Sequence, residues 1–87
     1  MEAWKFIDLA KSMVVNYSNA HAGENSAVII DMDDVDIIWM HQTEEVNRAI
    51  LTVIPPNGTF FEATYSVGQN EAQLDVCKKI GSVHMKF

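Results

Sequence analysis

Apolar residues recur at helical spacing over the first part of the chain. Phe6, Ile7, Ala10, Met13, Val14 and Tyr17 fall on one stripe, which Leu9 widens. Lys5, Asp8, Lys11, Ser12 and Asn16 lie mostly on the other side. This spacing predicts an amphipathic helix over residues 2–19. Glu2 stands in its first turn, where the helix dipole favours an acid. Residues 20–25 read as a loop. Ala27, Val28, Ile29 and Ile30 then form a strand-sized apolar run that fits a short strand or an extended lead-in. Asp31, Asp33 and Asp34 follow as a turn, because aspartates bond to their own nearby backbone.

From Val35 the period becomes two. Val35, Ile37, Trp39 and His41 are expected on one face of a strand over 35–42, with Asp36, Ile38, Met40 and Gln42 on the other. A second strand is predicted over 48–54. Pro55, Pro56, Asn57 and Gly58 make the clearest turn, since Asn-Gly tolerates the positive φ angles of tight hairpins. A third strand over 59–67 places Phe61, Ala63, Tyr65 and Val67 together. A fourth is expected over 71–77, although Ala72, Val76, Ile80 and Val83 also fit a helical stripe. The tail from Gly81 to Phe87 reads as a short strand or an irregular end. The result is one α+β domain over 1–87: an N-terminal helix across an antiparallel meander of three to four strands. Its expected core contains Phe6, Ile7, Met13, Val14, Trp39, Phe61 and Tyr65.

At 87 residues the chain has room for one thin core, with roughly 64% of the unfolded surface buried for its mass. Twelve acids against six bases give a net charge of −6. That opposes nucleic-acid binding, which draws affinity from Lys and Arg on phosphates. One cysteine, Cys77, excludes an internal disulfide and suits a reducing compartment. There is no basic leader followed by an apolar run, nor a span of about 20 apolar residues for a membrane. The expected location is therefore the cytoplasm.

The residues that could carry chemistry do not assemble a known catalytic pattern. Asp31, Asp33, Asp34 and Asp36 resemble a calcium loop only at first sight: Val35 and Asp36 stand where a carboxylate and the glycine belong, and Gln42 takes the twelfth position. His21, His41 and His84 lack ligand spacing. Nothing in the sequence places a base beside Cys77. We therefore expect no enzyme activity, no metal and no cofactor. Two surfaces stand out instead. Asp31, Asp33, Asp34, Asp36, Glu44 and Glu45 form a candidate acidic surface for a basic protein partner. Ile38, Met40 and Phe60 mark an open sheet face able to support a homodimer.

Several segments together carry a resemblance. They are the F-I-D-L-A-K helix from Phe6 that ends at Tyr17, the D-D-V-D-I-I-W-M strand from Asp33, and A-I-L-T from Ala49. The F-F-E-A-T-Y strand from Phe60 and the stretch from Asn70 to Lys79 complete the set. The chain resembles a family of small proteins of unknown function encoded in phages and prophages of Firmicutes. Gln73 and Cys77 depart from it, since members often carry aromatics there. The resemblance implies a phage accessory protein and assigns no catalytic residue. Two functions follow as expectations: inhibition of a host nucleic-acid-binding or defence protein through the acidic surface, or a structural module in which the acids serve solubility only. The helix-then-strands order is also similar to double-stranded-RNA-binding domains, in topology alone, because the basic contacts those domains need are missing.

Overall fold

The computed structural model describes residues 1–21, 29–54, 58–78 and 81–87. Helix α1 spans Ala3–Ala20. Strands β1 (Val35–Gln42), β2 (Val46–Val53), β3 (Thr59–Ser66) and β4 (Glu71–Lys78) follow. They pair antiparallel in chain order β1-β2-β3-β4. The α+β architecture and the meander are those the periodicities predict, and residues 71–78 are strand rather than helix. The second strand starts two residues earlier than expected, because Thr43 turns the chain sharply. Its hydroxyl accepts the Val46 amide at 2.9 Å, while its own amide donates to the Val46 carbonyl at 2.8 Å.

One face of the sheet lies under α1. Phe6, Ala10 and Val14, one helical stripe, are buried against Ala49, Leu51, Val53, Phe61, Ala63 and Val35. Burying each large side chain contributes about 1.5–3 kcal/mol. The small residues Ala49 and Ala63 pair directly across β2 and β3. They leave room for the helix, with Leu51 and Phe61 filling the adjacent row. Tyr17 meets Phe61 edge-on at 6.0 Å between ring centres. Met13 and Tyr65 are half-buried and pack against this core, whereas Ile7, expected within it, is half-buried outside the cluster because it lies off the Phe6-Ala10-Val14 stripe.

The ends of the helix differ from the simplest expectation. Glu2 is the cap residue just outside the helix, and its carboxylate accepts the Trp4 indole N–H at 2.6 Å. At the other end the Asn19 side chain both donates to and accepts from the backbone of Ile30, each at 3.0 Å. The amide thereby pairs like a strand residue and clips the lead-in of β1 to the helix. Ile29 and Ile30 are not in a strand. The rest of that predicted apolar run, and the Pro55 to Asn57 part of the turn, lie outside the described residues. Gly58 has φ 82, a left-handed value that favours glycine.

The main correction concerns β1. Its pairing with β2 shifts between Ile37 and Trp39, so Ile38 is an extra residue, a β-bulge. Val35 and Ile37 face the helix as predicted. Beyond the bulge the alternation is reversed. Trp39 pairs with Ile50 and His41 with Arg48, away from the helix, while Met40 pairs with the buried Ala49. Trp39 is consequently 48% exposed rather than in the core. Met40 packs against the core rather than lining the open face.

Candidate functional site on the open sheet face

The face opposite α1 is covered by no other described element. Residues of alternating strand positions build it: Trp39 and His41 from β1, Arg48 and Ile50 from β2, Phe60 and Glu62 from β3, Asp75 and Cys77 from β4. The bulge makes Ile38 and Trp39 consecutive exposed residues. Trp39 stacks on His41 at 5.9 Å with a 28° angle between rings. These two rings, with Thr43, Glu45, Val46 and Arg48, line a shallow hollow of about 330 Å³ at the β1–β2 end. Phe60, 44% exposed, stands two strands away. The face therefore combines an aromatic anchor, a guanidinium beside it and further apolar surface.

Its charges are lopsided. Asp36, Glu62, Glu71 and Asp75 lie at outward strand positions, against Arg48 as the one fixed positive charge from the four strands on that side. Glu62 and Asp75 stand directly opposite each other, and like charges so placed repel. The Asp75 carboxylate accepts a hydrogen bond from the Gln73 amide at 2.9 Å.

The predicted acidic surface is divided by the fold. Asp31, Asp33 and Asp34 sit at the start of β1, Glu44 and Glu45 at its far end. Seven strand steps separate these groups by roughly 23 Å. Asp31 and Asp34 also have structural work. The Asp31 carboxylate accepts the Asp33 amide at 2.9 Å, and the Asp34 carboxylate accepts the Asp31 amide at 3.0 Å. This reciprocal capping box closes a short 3-10 turn over Met32–Asp34. The Asp34 carbonyl then accepts the Ile54 amide at 2.8 Å, which ties the turn to the end of β2. Asp33 and Asp36 remain exposed. Only Glu45 of the predicted acids reaches the aromatic hollow. Of the predicted self-association residues, Ile38 and Phe60 are exposed as expected and Met40 is not.

Sequence reasoning missed Trp39, His41 and Arg48 as surface partners. The signal it could have used is the Ile37-Ile38 pair: two apolar neighbours at a switch of period are where a bulge can enter. No three His, Cys, Asp or Glu side chains come together as a metal site among the described residues. No helix of the described residues is long and apolar enough to cross a membrane.

Comparison with curated proteins and with solved structures returns no match. A family model does match, over residues 7–87, which takes in the helix after its first turn, all four strands and the tail. The chain belongs to the family of unknown function DUF6275.

Proposed function

We propose that this protein is a small binding module that docks a protein partner through the open face of its sheet, without catalysis. The observation that carries this reading is the bulge at Ile38. It turns Trp39 outward, stacks it on His41 beside Arg48, and leaves Ile38 and Phe60 exposed on an uncovered surface. Trp and Arg dominate binding energy at protein interfaces when a partner excludes water around them. The surplus of acids on that face favours a partner with a basic surface and steers it at low salt. Phage origin, as implied by the sequence resemblance, fits an accessory protein that captures a host or phage protein.

The division of the acids favours docking through this face over mimicry of nucleic acid by a continuous acidic stripe. Face-to-face pairing of two copies is disfavoured, because each would present the same excess of carboxylates. The test is a photocrosslinker placed at Glu45, on the rim of the Trp39 hollow, and, as control, at Asp8 on the exposed side of the helix. A basic protein crosslinked from position 45 alone, and lost when Trp39→Ser/Phe60→Ser is added or at high salt, is the expected result. Equal crosslinking from both positions, or capture that survives the double substitution, overturns the reading.

A further inference from the structure

The last described segment, residues 81–87, is at odds with the rest of the domain. Val83, Met85 and Phe87 alternate with Ser82, His84 and Lys86, the period of a half-buried strand. Yet Val83 is 91% and Met85 72% exposed, Phe87 is fully exposed, and the segment is in no strand. The family match runs through it, so it belongs to the domain rather than lying outside it. A strand pattern without a sheet needs an edge to join, and an edge strand offers its unpaired backbone groups to a second chain.

Of the two edges, β4 fits. β1 is interrupted by the bulge at Ile38, a feature that turns an edge away from pairing. β4 is regular over all eight residues. Its helix-side residues Leu74 and Val76 are only half-buried. Beside them a hollow of about 180 Å³, lined by residues including Tyr17, His21, Phe61 and Val76, lies open between the helix end and β3–β4. The charges also match. None of the twelve acids lies beyond Asp75, whereas three of the six bases, Lys78, Lys79 and Lys86, do. The outward residues of β4 include Glu71 and Asp75.

We propose that residues 81–87 form a fifth strand beside β4 of a second copy, each copy lending its tail to the other in a two-fold dimer. Val83, Met85 and Phe87 lie on the helix side, next to Val76, Leu74 and Ala72, and cover the half-buried edge of the core. His84 lies on the other side opposite Asp75, and Lys86 opposite Gln73, diagonal to both Asp75 and Glu71. A closed exchange of this kind satisfies the backbone of both tails and both edges at once. The contact runs along the β4 edge and leaves Trp39, His41 and Arg48 at the β1–β2 end uncovered, so it stands or falls independently of a partner docked there.

In this register Ser82 falls opposite Cys77, the single cysteine, which is exposed. Opposed strand residues lie about 5.5 Å apart, within disulfide reach. The test is mild oxidation of full-length Ser82→Cys at high micromolar concentration. The expected product is a reducible dimer of twice 9.8 kDa whose peptide map shows Cys77 joined to position 82 of the other copy. A closed monomer with the link inside one chain would mean that the tail folds onto its own β4, and two free thiols that it joins no β4. Either result overturns the proposal. Light scattering gives a second readout without a new cysteine. The unaltered chain is expected to be dimeric, and Val83→Ser/Met85→Ser/Phe87→Ser monomeric with the helical circular-dichroism signal and the cooperative thermal melt retained. An unaltered chain that is monomeric, or a triple variant that remains dimeric, also refutes it.

Discussion

The two faces of the sheet are made by the same four strands and have different fates. On the helix side Ala49, Leu51, Phe61 and Ala63 are almost completely buried. On the other side Trp39 and Phe60 remain roughly half exposed. Residue type alone does not explain the difference, since Trp39 is the larger apolar side chain. What separates them is one helix. An 18-residue amphipathic helix covers one face of the sheet, and the described residues place no second layer on the other. The covered face holds the fold together. The open face is uncovered by the described residues, and its apolar residues are tolerated because they are few and set among charges.

The strongest way to break this comparison is in the covered face. Leu51→Ala removes a fully buried side chain at the centre of β2 and is expected to cost about 2–5 kcal/mol, read by urea unfolding. A cost below about 1 kcal/mol would mean that the core is not where the buried residues place it.

The next test uses the neighbours Trp39 and Met40. Unbroken alternation would bury Trp39 and expose Met40; the bulge reverses this. Met40→Ser is expected to cost about 2 kcal/mol, from lost burial of a side chain against the core. If Trp39→Ser costs more than Met40→Ser, the bulge is misplaced.

Smaller effects test the turn and a buried amide. Asp31→Ala breaks the capping box and is expected to cost about 1 kcal/mol, while Asp33→Ala, whose side chain is exposed, changes stability by less than about 0.5 kcal/mol. Thermal melts of the two variants side by side check the difference. Asn47 is 2% exposed, and its side-chain NH2 has no hydrogen-bond partner among the described residues. An unsatisfied buried donor costs about 1–3 kcal/mol. Asn47→Val is accordingly expected to raise the unfolding free energy by about 1 kcal/mol, and a fall would show that the amide is satisfied in solution.

Much of the fold was legible because its signals are local. The helix follows from the spacing of Phe6, Ala10 and Val14, and the strand count from alternation between turn residues. The fourth strand was readable from Ala72, Leu74 and Val76 despite a rival helical stripe. The Ile37-Ile38 pair hints at a bulge but does not place it, because the two residues are chemically equivalent and only the register against Leu51 and Ile50 decides which one is extra. That single ambiguity moved Trp39 out of the core and Met40 into it, and so hid the site. The acidic cluster misled for a different reason. Sequence proximity suggested one surface, but the length of β1 separates Glu44 and Glu45 from the others, and two of the aspartates are engaged by their own backbone.

The most direct test of the division between the faces is the unfolding free energy of Trp39→Ser/Phe60→Ser by urea titration, beside that of Leu51→Ala. Each cross-strand pair lost on the open face is worth about 0.2–1 kcal/mol, so the double variant is expected to lose no more than about 1–2 kcal/mol and to unfold cooperatively. A loss as large as that of Leu51→Ala would show that Trp39 and Phe60 belong to the core, and would contradict the assignment of the open face to binding.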